Sequence, residues 1–208
     1  MSNTPTVYIV DDDKMACLSV AALVSSKNLA YACYLSAEEY LEKFVPGLPG
    51  CLVTDLKMLG MSGLDLQKKM VELQSTLPVI LITAYASIPV AVESLKEGAY
   101  AFLEKSCLER DLWQTIQGAL RQNRQLLAQR EERLALEKIF ATLTDRELEV
   151  LRRIAQGQPN KQVALALSVS VRTVEDRRRR IMQKVGSQSF AELMRLVVKA
   201  EQFLQTGR

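Results

Sequence analysis

The chain of 208 residues contains no histidine. This absence excludes histidine-ligated metal sites, Ser–His nucleophilic pairs and any phosphohistidine formed within the chain. Long hydrophobic runs are absent too: none approaches the roughly 18 residues that a membrane span needs, and no basic segment followed by an apolar core opens the chain. We therefore expect a cytoplasmic protein with no membrane partner.

Cysteine is scarce, and its four positions, Cys17, Cys33, Cys51 and Cys107, form no C-x-x-C pair. Each lies among apolar residues, which is typical of reduced cysteines in a core rather than of disulfides or metal ligands. Redox and zinc chemistry are therefore not expected.

The charge is divided unevenly along the chain. Residues 1–120 hold 9 Lys/Arg against 14 Asp/Glu, a net −5, whereas residues 121–208 hold 18 against 10, a net +8. A basic half indicates nucleic-acid contact, although a solvated basic surface would give the same numbers.

Short apolar runs alternate with amphipathic stretches over the first 105 residues. Runs of four or five β-prone residues, separated by helical patterns, predict βα repeats around a buried parallel sheet. The predicted strands are Val7–Val10, Tyr31–Leu35, Cys51–Thr54, Val79–Ile82 and Tyr100–Leu103, with helices at Met15–Ser26, Ala37–Phe44, Leu64–Leu73 and Pro89–Lys96. We expect an α/β, doubly wound domain over residues 1–120, with its functional crevice at the carboxyl ends of the strands.

The remainder of the chain is predicted to be helical. Leucines recur at helical spacing from Leu108 to about Ile139, which favours a long helix that closes the first domain and serves as a linker over residues 121–141; a flexible charged linker is the alternative. An all-α domain of four helices is expected over residues 142–208. Its helices begin at a capping box at Thr144–Glu147 and continue as Asn160–Leu167, Val171–Val185 and Ser189–Phe203.

Carboxylates follow the first and third predicted strands. Asp11, Asp12 and Asp13 come directly after the first strand and Asp55 ends the third, so these acids are expected at one edge of the sheet. Clustered carboxylates are stabilised by a hard divalent cation. Thr83 and Lys105 end the fourth and fifth strands, which adds a hydroxyl and an ammonium group. Together they predict a site that accepts a phosphoryl group on an aspartate, although any one acid could be a strand-end cap.

The motifs V-Y-I-V-D-D-D, C-L-V-T-D-L-K-M-L-G-M-S-G, V-I-L-I-T-A-Y and A-Y-A-F-L-E-K resemble the receiver domain of two-component response regulators over residues 5–120. The resemblance implies a flavodoxin-like (βα)5 fold with strand order 2-1-3-4-5. It implies Asp55 as phospho-acceptor, and Mg²⁺ (or Mn²⁺) bound by Asp12, Asp55 and the carbonyl of Lys57, with Asp11 helping through water. The other implied roles are phosphoryl binding by Thr83 and Lys105, and a switch formed by Thr83 and Phe102.

Two positions depart from that family. Leu59 and Ser106 stand where its members usually have proline, and the second proline normally follows a cis peptide bond. A cis bond before a non-proline residue costs about 3–4 kcal/mol, so we expect the Lys105–Ser106 bond to be trans.

The helix Val171–Val185 carries most of the basic charge. Val174, Ile181 and Val185 share one side and are expected to pack on the core. The opposite side presents Arg172 and Arg179, which suit base edges, whereas Arg178 and Arg180 suit phosphates. The surrounding candidates for DNA contact on this helix are Thr173, Glu175 and Asp176, and Arg177 and Arg178 lie nearer the core edges, from which they are expected to extend outward. Asp176 could accept a hydrogen bond from cytosine or orient an arginine; we favour the second.

The segment from L-T-D-R-E-L to R-T-V-E-D-R resembles the LuxR/NarL-type helix-turn-helix, and its R-T-V-E form, like S-I-P-V-A-V in the first domain, resembles the FixJ-type subset. The resemblance implies double-stranded DNA, a sensor histidine kinase and RNA polymerase as partners. It further implies that Asn160 and Lys161 open a scaffold helix beside the DNA backbone and contact DNA. It also implies a homodimer on activation or on DNA, for which the last helix offers Leu193, Leu196, Val197, Ala200 and Leu204, residues that could equally be core.

Three functional hypotheses follow. The first is a transcription regulator whose DNA binding is controlled by phosphorylation of Asp55, and which catalyses only its own phosphorylation and dephosphorylation. The second keeps DNA binding but has regulation independent of phosphate. The third, an aspartyl-phosphate hydrolase, is disfavoured because such enzymes place an aspartate two residues after the nucleophile, where this chain has Lys57.

Overall fold

The computed structural model describes residues 4–85, 87–107 and 111–206, except for the side chains of Cys107 and of residues 201–206. The expectations for the Cys107 and Leu204 side chains lie outside this part. The chain divides into two compact units, Met1–Ala128 and Gln129–Arg208. Within the described residues no helix combines the length and the apolar character needed to cross a membrane.

The first unit is built on a parallel sheet of strand order β2-β1-β3-β4-β5, as the sequence predicts. The strands are β1 Thr6–Val10, β2 Ala30–Tyr34, β3 Gly50–Asp55, β4 Val79–Thr83 and β5 Ala101–Glu104. Every residue of β3 and β4 is buried, because a parallel sheet covered on both faces needs near-continuous apolar strands.

Helices cover both faces of this sheet. The first unit contains α1 Lys14–Ser26, α2 Ala37–Lys43, α3 Gly63–Glu72 and α4 Ile88–Lys96. One face of the sheet packs with α1 and with Leu112, Ile116 and Ala119 around the start of the next helix, and the other packs with α2 and α3. Cys17 and Cys51 are buried free thiols and Cys33 is half-buried, which confirms the prediction for these three cysteines.

The helix α5 is continuous from Trp113 to Phe140, and most of the predicted linker lies in it. One polar residue anchors it within the first unit. The fully buried Asn123 accepts a hydrogen bond from the Gly50 N–H (2.9 Å) and donates one to the Thr76 carbonyl (2.8 Å). Its amide therefore holds α5 against the amino-terminal edge of the sheet.

The second unit contains the end of α5 and four further helices, α6 Asp145–Ala155, α7 Asn160–Ala166, α8 Val171–Val185 and α9 Phe190–Thr206. The capping box between Thr144 and Glu147 is present, and the Ser170 hydroxyl caps α8. Gly186 ends α8 with φ of 72°, a left-handed conformation that glycine adopts without steric penalty. The core of this unit is formed by apolar side chains of all five helices.

Candidate functional site

The two central strands of the sheet each end in an acidic residue. β1 pairs with β3 in a register that matches Val10 with Thr54, so the next residues, Asp11 and Asp55, are neighbours at the carboxyl edge. Both are nearly inaccessible, with 1% and 5% of their surface exposed. Two buried carboxylates on adjacent strands repel each other unless a cation lies beside them or one of them takes up a proton.

Lys105 provides that cation. Its Nζ lies 2.8 Å from Oδ2 of Asp11 and 2.6 Å from Oδ1 of Asp55. Burial opposes the charge of Lys105, but its hydrogen bonds with the two carboxylates outweigh burial and raise its pKa. Burial raises the pKa of Asp11, and the hydrogen bond from Lys105 offsets this only in part. One ammonium group therefore forms ion pairs with two carboxylates, and we call Lys105, Asp11 and Asp55 the ion triad.

The expectation for the peptide bond after Lys105 is confirmed. No residue in the described part of the chain has a cis peptide bond, so the Lys105–Ser106 bond is trans. Lys105 nevertheless reaches both carboxylates. The serine at position 106 therefore does not prevent Lys105 from contacting both carboxylates.

Backbone N–H groups of the β3–α3 loop donate hydrogen bonds to one carboxylate oxygen of Asp55 and one of Asp12. Lys57 N–H donates to Oδ2 of Asp55 at 2.7 Å, and Leu59 N–H donates to Oδ2 of Asp12 at 2.9 Å. The predicted donor set of Asp11, Asp12, Asp55 and the Lys57 carbonyl consists only of oxygens, which fits a hard divalent cation. In the described part of the chain, no three acidic or cysteine side chains already form a cluster that could hold a metal.

The two predicted switch residues lie on adjacent strands, Thr83 at the end of β4 and Phe102 opposite Leu81. Thr83 is buried, and its Oγ1 accepts a hydrogen bond from the Tyr85 N–H at 3.3 Å. Phe102 is half-buried and packs against the cluster of Leu56, Leu81 and Ala99. Thr83 and Phe102 thus lie on the neighbouring strands β4 and β5.

In the second unit, α8 buries the face that the sequence predicts. Val174 and Ile181 are fully buried and Val185 is 6% exposed, whereas Arg172, Glu175, Arg179 and Arg180 are exposed. Asp176 forms an ion pair with Arg179, with 3.3 Å between Oδ1 and the guanidinium nitrogen. Asp176 therefore contacts an arginine of its own helix, which is the role that we favour from the sequence.

The other predicted DNA contacts differ in exposure. Lys161 is exposed and Asn160 half-exposed at the start of α7, while the half-buried Thr173 donates its N–H to the Ser170 hydroxyl at 3.0 Å. Arg177 and Arg178 are half-buried, as expected for residues at the core edge. Arg178, however, donates to Oδ1 of Asn160 at 2.6 Å, so its guanidinium already has a partner within the unit.

Besides the hydrogen bond between Arg178 and Asn160, sequence reasoning missed two further contacts of this unit. The capping box identified Glu147 as a helix cap but gave no sign of its ion pair with Lys184, 2.7 Å away on α8. The stacking of Arg178 over the Phe190 ring, with 4.7 Å from Cζ to the ring centroid, was also missed. Both join residues from different helices, and helical spacing carries no information about such pairs.

Both halves of the chain match known families. Residues 7–117 match the response regulator receiver domain, and residues 141–197 match the bacterial regulatory proteins of the luxR family. The transcriptional regulatory protein TdiR of Thauera aromatica is 34% identical over 95% of this chain and 87% of its own length. FixJ of Azorhizobium caulinodans is 35% identical over 96% of this chain and 95% of its own length.

Solved structures of response regulators are also similar to this chain. The response regulator StyR has a TM-score of 0.85 at 37% identity and covers 94% of this chain and 99% of its own. Full-length FixJ from B. japonicum has a TM-score of 0.57 at 30% identity and covers 97% and 99%. The chain therefore belongs to the NarL/FixJ family of response regulators, transcription factors that join a receiver domain to a LuxR-type DNA-binding domain.

Proposed function

We propose that a partner sensor histidine kinase phosphorylates Asp55 and that this phosphorylation controls DNA binding by the second unit. The observation that carries the proposal is the contact of Lys105 with Asp55, 2.6 Å from Nζ to Oδ1, at the carboxyl edge of the sheet. A carboxylate oxygen at this edge of the sheet is the nucleophile that phosphoryl transfer to an aspartate requires, and Lys105 lies where it can neutralise charge on an incoming phosphoryl group. Because this chain has no histidine, the phosphoryl donor must lie on another molecule.

The chemical step is a phosphoryl transfer to the carboxylate. An Asp55 oxygen attacks phosphorus, a P–O bond forms, the P–N bond to the donor histidine breaks, and that histidine keeps the electron pair and takes up a proton. Lys105 neutralises charge on the phosphoryl oxygens, and the Thr83 hydroxyl donates to one of them after leaving its Tyr85 contact. A bound divalent cation, Mg²⁺ (or Mn²⁺), supplies further neutralisation, and Asp11, Asp12, Asp55 and the Lys57 carbonyl would hold it.

Movement of Thr83 links the phosphoryl group to the surface of the receiver. Thr83 ends β4, and Phe102 on β5 and Val90 on α4 pack against the same buried cluster. A shift of Thr83 toward the phosphoryl group would give Phe102 room to change rotamer and would alter this surface. The altered surface would favour a homodimer, which raises DNA affinity at a two-fold symmetric site.

On DNA, α8 would enter the major groove. Arg172 and Arg179 are placed to read base edges, with Glu175 and Asp176 beside them, while Arg180 and Lys161 are placed to neutralise phosphates. Asn160 and Thr173 would lie near the DNA backbone. RNA polymerase would be the further partner of the bound dimer, in the cytoplasm, and the receiver would catalyse only its own phosphorylation and dephosphorylation.

The test of phosphorylation uses the full chain, Mg²⁺ and a small-molecule phosphodonor, with the mass of the intact protein as readout. Wild type should gain one phosphoryl group, and Asp55→Asn should gain none while keeping its far-UV circular dichroism. Glu42→Gln, which alters an exposed carboxylate on α2, is the control and should match wild type. Full incorporation into Asp55→Asn would reject Asp55 as the acceptor.

A second candidate function keeps DNA binding but removes phosphate control. It is favoured by Leu59 and Ser106, which replace the usual prolines, and by the ion triad, which is complete without a phosphoryl group. DNA affinity with and without phosphodonor and Mg²⁺ separates the two. If phosphodonor and Mg²⁺ raise the DNA affinity of wild type but not of Asp55→Asn, phosphate controls binding. If the DNA affinity of wild type is the same with and without them, the second candidate is supported.

A further inference from the structure

The four consecutive arginines of α8 do not share one environment. Arg179 and Arg180 are exposed, whereas Arg178 is half-buried. Its guanidinium donates to Oδ1 of Asn160, the first residue of α7, and lies over the ring of Phe190, the first residue of α9. Arg178 thus contacts the starts of two other helices, although it lies in the middle of its own.

A guanidinium group is suited to this arrangement because it is planar. One face can stack on an aromatic ring while the edge donates hydrogen bonds. The 2.6 Å contact with Asn160 and the 4.7 Å contact with Phe190 use the edge and the face in this way. An ammonium group carries the same charge but has no plane, so lysine cannot reproduce both contacts.

We propose that Arg178 is a positioning residue that fixes the recognition helix α8 against α7 and α9, and that it does not neutralise a DNA phosphate. This inference rests on the proposed use of α8 for DNA reading, and it corrects the assignment of Arg178 to phosphates that helical spacing suggests. Sequence discrimination depends on where Arg172 and Arg179 meet the base edges. A residue that sets the orientation of α8 therefore affects specificity without touching DNA.

The existing contacts of Arg178 argue against a role at a phosphate. Arg178 lines an open groove of about 430 Å³ together with Asn160, Glu175 and Arg179, so its surroundings include a carboxylate and are not uniformly basic. Reaching the DNA backbone would also require Arg178 to break its contacts with Asn160 and Phe190. Arg180, which is exposed on the same helix, needs no such rearrangement and is the matched control.

The experiment measures binding of the full-length chain, phosphorylated with Mg²⁺ and a small-molecule phosphodonor, to two duplexes by fluorescence anisotropy over a range of salt concentrations. One duplex is selected by wild type from a random-sequence pool, and the other is its scrambled version. The variants are Arg178→Ala, Arg178→Lys, Arg180→Ala and Arg180→Lys, all studied well below their unfolding temperatures. A loss of folded protein would weaken binding to both duplexes equally, whereas misplacement of α8 lowers the ratio of the two affinities.

We expect Arg178→Lys and Arg178→Ala each to lower that ratio by about tenfold, in the range of energies measured for residues in one contact network. The slope of log affinity against log salt falls by about 0.9 for each lost phosphate contact, and it should stay at the wild-type value in Arg178→Ala. Arg180→Ala should show the opposite result, with a reduced slope, a nearly unchanged ratio, and full recovery in Arg180→Lys.

A reduced salt slope in Arg178→Ala together with wild-type binding by Arg178→Lys would show that Arg178 contacts a phosphate, and would overturn the inference. An unchanged affinity ratio in both Arg178 variants would overturn it as well. If phosphorylated wild type enriched no duplex from the pool, the proposed DNA contacts of α8 would be wrong, and the inference that rests on them would fall with them.

Discussion

Lys184 lies 2.7 Å from Glu147, measured from Nζ to Oε2, and so ties the last turn of α8 to the first turn of α6. Lys184 also donates to the carbonyl of Thr142 at 3.1 Å, and Glu147 completes the capping box with Thr144. Glu147 is only 5% exposed. One nearly buried carboxylate therefore serves both as a helix cap and as the partner of a cation on the recognition helix.

Glu147→Gln should lower the free energy of unfolding of the second unit by roughly 1–3 kcal/mol, because a charged hydrogen bond with Lys184 is lost. Thermal unfolding followed by far-UV circular dichroism measures this loss. Trp113, the only tryptophan, lies in the first unit, so its fluorescence transition should not move. Glu149→Gln, on the more exposed side of α6, is the control and should change stability by less than about 0.5 kcal/mol. A Glu147→Gln variant as stable as this control would contradict the prediction.

Acid should destabilise the second unit in a defined range. The hydrogen bond from Lys184, then those from Thr144, lower the pKa of Glu147 from 4.5 to about 2. Because the folded-state pKa is the lower one, the stabilisation is complete above pH 4.5 and is lost as the pH falls toward 2. Unfolding temperatures of wild type should therefore fall more steeply over this range than those of Glu147→Gln. If the unfolding temperatures of the two proteins fell in parallel between pH 4.5 and 2, Glu147 would not be the source of the acid sensitivity.

Asn123→Ala should lower the stability of the first unit by roughly 2–4 kcal/mol, because it leaves the buried Gly50 N–H and Thr76 carbonyl without their partner. Urea unfolding followed by Trp113 fluorescence reports on this unit. The neighbouring Gln122→Ala removes an exposed amide from the same helix and should unfold like wild type. Equal midpoints for Asn123→Ala and Gln122→Ala would show that the buried amide contributes nothing.

Gly63→Ala should disturb the Asp55 site through the backbone. A Cβ atom at Gly63 would lie 2.1 Å from the carbonyl oxygen of Asp55, and neither backbone can give way without moving the start of α3. We expect a stability loss of about 1–3 kcal/mol, as for other overpacked sites, and slower phosphoryl uptake from a small-molecule donor. Lys69→Ala, on the exposed side of α3, should leave both properties unchanged. Wild-type uptake by Gly63→Ala would mean that the loop accommodates the methyl group without moving Asp55.

The sequence predicted the elements of the fold well because each has a local cause. Buried parallel strands require apolar runs, the cap at Ser170 and the glycine at 186 mark the ends of α8, and the acids at positions 11 and 55 follow from where the strands end. These signals lie within a few residues of what they specify.

The remaining features depend on pairs that lie far apart in the chain. The spacing of strands placed Lys105 near the acids but did not show that it bridges Asp11 and Asp55. Helical spacing put Arg178 at the edge of the core, yet its contacts with Asn160 and Phe190 depend on how α7 and α9 cross α8. Such contacts depend on tertiary packing, and the periodicity of the sequence carries no information about them.

The amide of Asn123 has a mechanical consequence for the receiver. It fixes α5 to the amino-terminal edge of the sheet, whereas Asp55, Thr83 and Lys105 all lie at the carboxyl-terminal edge. The phosphorylation site and the Asn123 hydrogen bonds therefore lie at opposite edges of the sheet. Rearrangement of the loops around Asp55 would not require these hydrogen bonds to break, so the middle of α5 could keep its place on the sheet while the carboxyl-terminal edge changes.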